Sequence, residues 1–300
     1  NKAKKNGAEV VVLLSHNGFD VDQKLASILD NVDVILTGHT HDAIPRAIKI
    51  KNTLLLSSGS HGKYLGRIDL KVDNGKVVDF SSNLIPIFSD VIQPDPEMTR
   101  LIDKIREPYE EECNRVVGEA ETLLYRRGNF GGPWDSVICD AIIQERDTEI
   151  SLSPGFRWGT TLLPGQKITI DDIYSQTSMN YPEVYRTEMS GETIKNLLED
   201  VCDNIFNPDP FFQQGGDMVR VGGMSYTCHP KNKMGNRISD LSLLSNGEKI
   251  EAQKKYTIGG WGSINPDVKG PAIYNVLEDY ILDKQNISPK QNNPVTIKGI

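Results

Sequence analysis

Val32-Asp33-Val34-Ile35-Leu36-Thr37-Gly38-His39-Thr40-His41-Asp42 is the stretch from which the fold class of this chain is read. Its first half is an apolar run of strand length, and its second half puts two imidazoles on a glycine-led loop directly after that strand. Open α/β sheets carry their ligands at the carboxyl ends of strands, so a His-x-His in this place is a candidate site. The run Val10-Val11-Val12-Leu13-Leu14 ends the same way, in Ser15-His16-Asn17-Gly18. Three of the five histidines thus fall on two strand-end loops that are expected to converge. Neutral imidazole is the commonest nitrogen ligand of transition metals, and rigid scaffolds hold functional residues on loops. His16, His39 and His41 are therefore read as metal ligands, the plainer alternative being polar loop residues that bind nothing.

Between the two strands, Asp20 is placed to cap a helix whose apolar stripe is Val21, Leu25, Ile28 and Leu29, with Gln23 as its capping-box partner. The unit is then β-α-β, with both histidine loops on one edge. Leu54-Leu55-Leu56 reads as a third strand, and His61, in the loop after it, is left out of the ligand set as a single loop histidine. Alternation through 66–72 and 77–80 around Asp73-Asn74-Gly75 predicts a hairpin with an Asn-Gly turn. Pro94 and Pro96 then introduce a helix with Met98, Leu101, Ile102 and Ile105 on one narrow face, read as the connector between domains.

The remainder mixes helix reads (137–144, 192–206 capped by Ser190, 272–283) with strand reads (149–152, 184–189, 224–228, 238–243, 256–258). Glycine-rich loops carry Arg157, Arg220 and Trp261, which read as a surface that holds a ligand, although tight turns alone explain most of the glycines. A chain of 300 residues is long enough for two domains. A net charge of -8 argues against nucleic acid or an acidic membrane as the main partner. No apolar run approaches the roughly 18 residues of a membrane span. Cys113, Cys139, Cys202 and Cys228 are compatible with two disulfides in any of three pairings, or with unpaired buried thiols.

The first 88 residues resemble the back half of the calcineurin-like metallophosphoesterase domain of the 5'-nucleotidase family. The resemblance rests on Ser15-His16-Asn17-Gly18, Gly38-His39-Thr40-His41 and Gly62-Lys63-Tyr64-Leu65-Gly66-Arg67-Ile68-Asp69-Leu70. Residues 113–300 resemble the C-terminal substrate domain of that family, with 89–112 as the connecting helix. The fold class implied is α/β, the back half of a metallophosphoesterase α/β sandwich followed by a mixed α+β domain. Where nucleotidases stack a base on an aromatic ring, this chain reads Ser178-Met179-Asn180-Tyr181-Pro182. Segments 153–159 and 213–224 are instead similar to SoxB-type thiosulfohydrolases, a branch of the family. That resemblance implies a periplasmic enzyme with two manganese ions that releases sulfate from a cysteine S-thiosulfonate on a carrier protein of the sulfur-oxidation (Sox) system. It implies that His16 and His39 bind one metal and His41 the other, and that Arg157, Trp158, Asn180, Asp217, Arg220 and Trp261 contact substrate. The catalytic motifs of the family are expected upstream of Asn1, so the chain alone is expected to be inactive. A nucleotide phosphoesterase and a non-catalytic module that binds the carrier peptide are the alternatives.

Overall fold

A computed structural model describes residues 2–157, 159–265, 267–289 and 294–299. The chain divides into two compact units, Asn1–Lys104 with Asn207–Gly216, and Ile105–Phe206 with Asp217–Ile300. The first unit runs α1 (Lys2–Lys5), β1 (Val12–Ser15), α2 (Phe19–Ile28), β2 (Val34–Thr37), β3 (Ile48–Ile50), β4 (Thr53–Ser57), β5 (Tyr64–Asp73) and β6 (Lys76–Pro86). It then enters α3 (Pro96–Arg106), the helix read as a connector, and the two units divide inside it.

The sheet of the first unit has the order β1-β2-β4-β3, parallel from β1 to β4, with β3 antiparallel at its edge. Its register is level: Ser15 lies opposite Thr37, and Thr37 opposite Ser57, so the three parallel strands end in one row. The pleat sends alternate side chains to opposite faces. Ile35 and Leu55 accordingly pack on Ala26 of α2, while Val34, Leu54 and Leu56 pack on Ile68, Leu70, Val77 and Phe80 of the β5–β6 hairpin. The hairpin turns at Asn74 and Gly75, both at positive φ, as an Asn-Gly turn of the primed kind requires.

Helix α2 differs from expectation at its start. It begins at Phe19, with Gly18 in the N-cap position at φ 99° and no side-chain cap. The Phe19 N–H donates instead to Thr40 Oγ1 at 3.1 Å, so an orphan donor of the helix is satisfied from the loop after β2. Asp20 lies in the first turn, where its charge favours the helix dipole without capping it.

The second unit continues with α4 (Glu110–Cys113), β7 (Val116–Ala120), α5 (Pro133–Arg146), β8 (Ile150–Ser153), β9 (Lys167–Thr169), α6 (Ile170–Thr177), β10 (Tyr185–Ser190) and α7 (Gly191–Phe206). It closes with β11 (Arg220–Gly222), β12 (Met224–Cys228), β13 (Ile238–Leu243), β14 (Lys255–Gly260), α8 (Ile273–Lys284), β15 (Asn286–Ile287) and β16 (Val295–Ile297). Its central sheet has the order β10-β14-β8-β11, and the short strands form the sheets β13-β12-β16 and β15-β7-β9. Two cores flank the central sheet. Trp134, Val137, Ile138, Ala141 and Ile142 of α5 pack with Ile273, Val276, Leu277 and Ile281 of α8. Ile194, Leu198 and Cys202 of α7 pack on Ile150, Leu152, Tyr226, Cys228, Tyr256 and Ile258. The i, i+4 spacing of those three residues keeps them on one face of α7. Ser190 Oγ accepts the Thr193 N–H at 3.1 Å, the cap expected from the sequence.

The cores set an energetic expectation. Leu198→Ala, at a position with no exposed surface, should cost about 2–5 kcal/mol through lost contacts and the cavity left behind. Leu163→Ala, at a position 56% exposed, should stay within about 0.5 kcal/mol. Urea unfolding followed by tryptophan fluorescence checks this, and equal losses at the two positions would contradict the packing described.

Candidate functional site

Because β1, β2 and β4 end in one row, the loops that follow them leave the same edge of the sheet. They carry His16, then His39 and His41, then His61. His39, His41 and His61 all have positive φ, at 75°, 59° and 59°. That conformation is uncommon outside glycine, although histidine adopts it more readily than most side chains, and three in a row of loops is the kind of local strain that concentrates at functional sites.

The structure brings His16 and His39 together. His39 Nδ1 lies 3.3 Å from His16 Nε2, with ring centroids 5.0 Å apart and planes at 68°. The other nitrogen of His39 is 2.9 Å from the Gln214 carbonyl. A carbonyl only accepts, so Nε2 carries the proton and Nδ1 presents its lone pair toward His16. The two nitrogens are close enough to share one cation, as they are to share a proton. A carbonyl on the far nitrogen is also the usual way a ligating imidazole is oriented. His41 lies against His61 in an edge-to-face contact, centroids 5.8 Å apart. Among the described residues, no group of three or more His, Cys, Asp or Glu gathers to hold an ion. The histidines thus fit part of a metal centre and do not complete one.

Two features lock the pair in place. Asp22 of α2, fully buried, accepts from Ser15 Oγ at 2.8 Å, from Asn17 Nδ2 at 3.3 Å and from Thr37 Oγ1. One carboxylate thereby ties the ends of β1 and β2 to the loop that bears His16. The second feature is the segment Asn207–Gly216, which belongs to the first unit. It is anchored on α2 by an ion pair from Lys24 to Asp209 and by the Lys24 ammonium 4.2 Å from the centre of the Phe211 ring. The Lys24 hydrogen bond, with one from the Phe211 N–H, holds the Asp209 carboxyl below its usual value. Gly215 follows at φ 73°, where a Cβ would lie 2.5 Å from the His39 ring, so only glycine lets the chain pass and set the Gln214 carbonyl on Nε2. Burial, and after it the neighbouring Asp42, push the Asp20 carboxyl above its ordinary value.

In the second unit, Arg157, Asp217 and Arg220 come together. Asp217 Oδ2 is 2.8 Å from Arg220 Nη2 and 3.2 Å from Arg157 Nε. Arg220 Nε reaches Asp135 Oδ2 at 3.4 Å, and Asp135 Oδ1 accepts from Arg126 Nε at 2.6 Å. The result is a row of alternating charge, Arg126-Asp135-Arg220-Asp217-Arg157, with three guanidiniums against two carboxylates. Arg157 is its open end, with 17% of its side chain exposed against 1% or less for Arg126 and Arg220. Burial raises the Asp217 carboxyl above its ordinary value, against the pull of Arg220 and Arg157. Trp261 is buried and its Nε1–H donates to Ser153 Oγ at 2.8 Å, while Asn180 is exposed on a bend. Trp158 lies outside the described residues.

Arg126, Asp135 and Asp22 are not singled out by the sequence, His61 is left out there as a lone loop histidine, and Gln214-Gly215 stand in the segment 213–224 that the resemblance picks out, with no sign that they meet His39. Asp135 has a faint signal, three residues after Gly132 at the start of α5, whose N–H it accepts at 2.9 Å.

Residues 116–262 match the family described as 5'-nucleotidase, C-terminal domain. The trifunctional nucleotide phosphoesterase protein YfkN of Bacillus subtilis is 26% identical over 253 residues, which cover 80% of this chain and 17% of that protein. Among solved structures, the sulfate thiohydrolase SoxB of Thermus thermophilus superposes with a TM-score of 0.94 at 32% identity, covering 100% of this chain and 56% of that one. A 5'-nucleotidase precursor from Thermus thermophilus gives 0.82 at 16% identity, with 99% and 65% covered, which is a likeness of fold. The second unit carries the C-terminal domain of the 5'-nucleotidase family over residues 116–262. Along its whole length its structure is similar to SoxB. It spans 17% of the phosphoesterase and 56% of SoxB.

The geometry at His39 gives a test that needs no catalysis. Gly215→Ala should push the Gln214 carbonyl off Nε2 and leave His39 in a mixture of tautomers, read from the imidazole nitrogen shifts by NMR. A single Nε2–H tautomer kept in the variant would show that the segment does not set this ring.

Proposed function

We propose that the chain supplies the histidine pair and the substrate domain of a metal-dependent hydrolase that releases sulfate from a cysteine S-thiosulfonate on a carrier protein. The observation that carries this reading is the likeness to SoxB along the whole chain, at 32% identity. In such a reaction water adds to the terminal sulfur of the sulfonate, the S–S bond breaks, and the sulfur left on the carrier takes up a proton. His16 and His39 would hold one divalent cation, and His41 a second, as manganese. When bound, such ions acidify a water and draw charge from the oxygens of a tetrahedral anion. The part of this chain is to position. Gln214 fixes the His39 tautomer, Asp22 fixes the loop of His16, and the surplus guanidinium at the open end of the buried charge row offers Arg157 to anionic oxygens.

A second reading is phosphate release from nucleotides. It is favoured by the nucleotidase match at 116–262 and by the phosphoesterase of Bacillus subtilis. Sulfonate and phosphoryl groups are both tetrahedral anions, so the same donors suit either. The two readings part at the rest of the substrate: in segment 178–182, where a base-stacking ring is expected, Met179 packs onto the core and the one ring, Tyr181, is 43% exposed. We place the protein in the periplasm on this reading. Among the described residues no helix is long and apolar enough to cross a membrane.

The deciding experiment supplies manganese to the whole protein and measures sulfate released from a thiosulfonated cysteine peptide beside phosphate released from AMP. Sulfate without phosphate is the expected result. Phosphate alone would establish the second reading, and peptide binding by calorimetry without release of either anion would make the protein a carrier-binding module. Arg157→Lys should lower the rate of sulfate release about ten- to a hundredfold, because an ammonium cannot reproduce a planar pair of donors. Thermal stability should change little, and an unchanged rate would confine Arg157 to the ion pair with Asp217.

A further inference from the structure

The four cysteines are not equivalent. Cys202 of α7 and Cys228 at the end of β12 are both fully buried, and their Sγ atoms lie 3.6 Å apart in the core between helix and sheet. They are the one cysteine pair in contact among the described residues. Cys139 is buried in α5, and burial pushes its thiol up to about 12, so it is held as an inert thiol. Cys113 closes the short helix α4 and is half-buried.

We propose that Cys202 and Cys228 form a disulfide that fastens α7 to β12. A disulfide needs sulfurs about 2.05 Å apart, so the pair must close by about 1.5 Å, a movement within reach of side-chain rotation and a small shift of one helix. The bond would close a loop between residues 26 positions apart, and such a cross-link restricts the unfolded chain. It also has a place in the architecture. Cys202 sits one turn before α7 ends at Phe206, and the segment that carries Gln214 and Gly215 begins at the next residue. Next to Cys202, Asp203 pairs with Arg237, so covalent and ionic ties would meet at the root of that segment.

The chemistry balances with a small disulfide, such as oxidised glutathione, as oxidant. Either thiol can begin the exchange once the unit opens, for instance Cys228. Its thiolate displaces one thiolate from the oxidant and forms a mixed disulfide. Cys202 then loses its proton, attacks the Cys228 sulfur and displaces the second thiolate. Two protein sulfurs give up two electrons in total, and the oxidant becomes two thiols. Both sulfurs are closed to solvent in the folded unit, so exchange takes place while the unit folds or when α7 opens.

The test refolds the full chain from urea in a glutathione redox buffer, traps thiols with a maleimide under denaturing conditions, and weighs the intact protein. Two adducts and a proteolytic cross-link joining Cys202 to Cys228 are expected. Reduction should then lower the melting temperature by roughly 5–10 °C, and a Cys202→Ala, Cys228→Ala double variant should melt alike with and without reductant. Four adducts after oxidative refolding, or a cross-link that uses Cys113 or Cys139, would overturn the proposal. If the double variant fails to fold, the adduct count on the unaltered chain decides the matter alone.

Discussion

Parallel strands held in level register must end together, and this constraint brings the histidines to one place. Ser15, Thr37 and Ser57 stand in one row, so whatever follows β1, β2 and β4 emerges at the same edge. Hydrophobic burial maintains the register, since a slip of one residue would exchange the residues facing α2 with those facing the hairpin. Asp22 converts the register into a fixed pair of loops by accepting from both strand ends. Removing that buried carboxylate would leave those donors without an acceptor.

The strand-plus-loop pattern makes much of this legible in the sequence. An apolar run followed at once by glycine and histidine carries both the strand and the place of the imidazole, and His16 and His39 do meet. Contacts whose partners are far apart along the chain are not legible. The Gln214 carbonyl is a backbone atom, and no residue type marks it as the acceptor for a ring 175 positions away. Gly215 lies in the segment 213–224 that the resemblance picks out, but nothing in it points to His39, and tight turns explain its glycines equally well. His61 reads as a lone loop residue, yet β4 pairs in parallel with β2 and its loop comes out beside His41. The cap of α2 departs from the sequence expectation because Asp20 is a good capping residue by type. The helix instead starts one residue before Asp20, at Phe19, whose N–H donates to Thr40 from a loop that the local sequence cannot see. Short strands such as β11 and β16 escape because so few residues are too short a run for periodicity to register.

The second unit follows a different logic. Helices α5, α7 and α8 and strands β8, β10 and β14 are visible, α7 and α8 by the clean stripes they bury, whereas α6 is not read. The row Arg126-Asp135-Arg220-Asp217-Arg157 is visible only at one end, since arginines on glycine-rich loops stand out whereas Arg126 and Asp135 lie in plain local sequence. Buried ion pairs of this kind add little net stability but are costly to break. Their effect here is to hold Arg157 rigidly at the open end with an unbalanced positive charge, which suits an anionic substrate.

The central claim is that His16 and His39 are oriented to share one cation, with His39 bound through Nδ1 while Nε2 donates to Gln214. Pulsed electron paramagnetic resonance of manganese in the whole protein tests it most directly. Nitrogen couplings from directly bound imidazole are predicted, and they should diminish in His39→Ala. Manganese bound without nitrogen coupling, or couplings untouched by that substitution, would contradict the account.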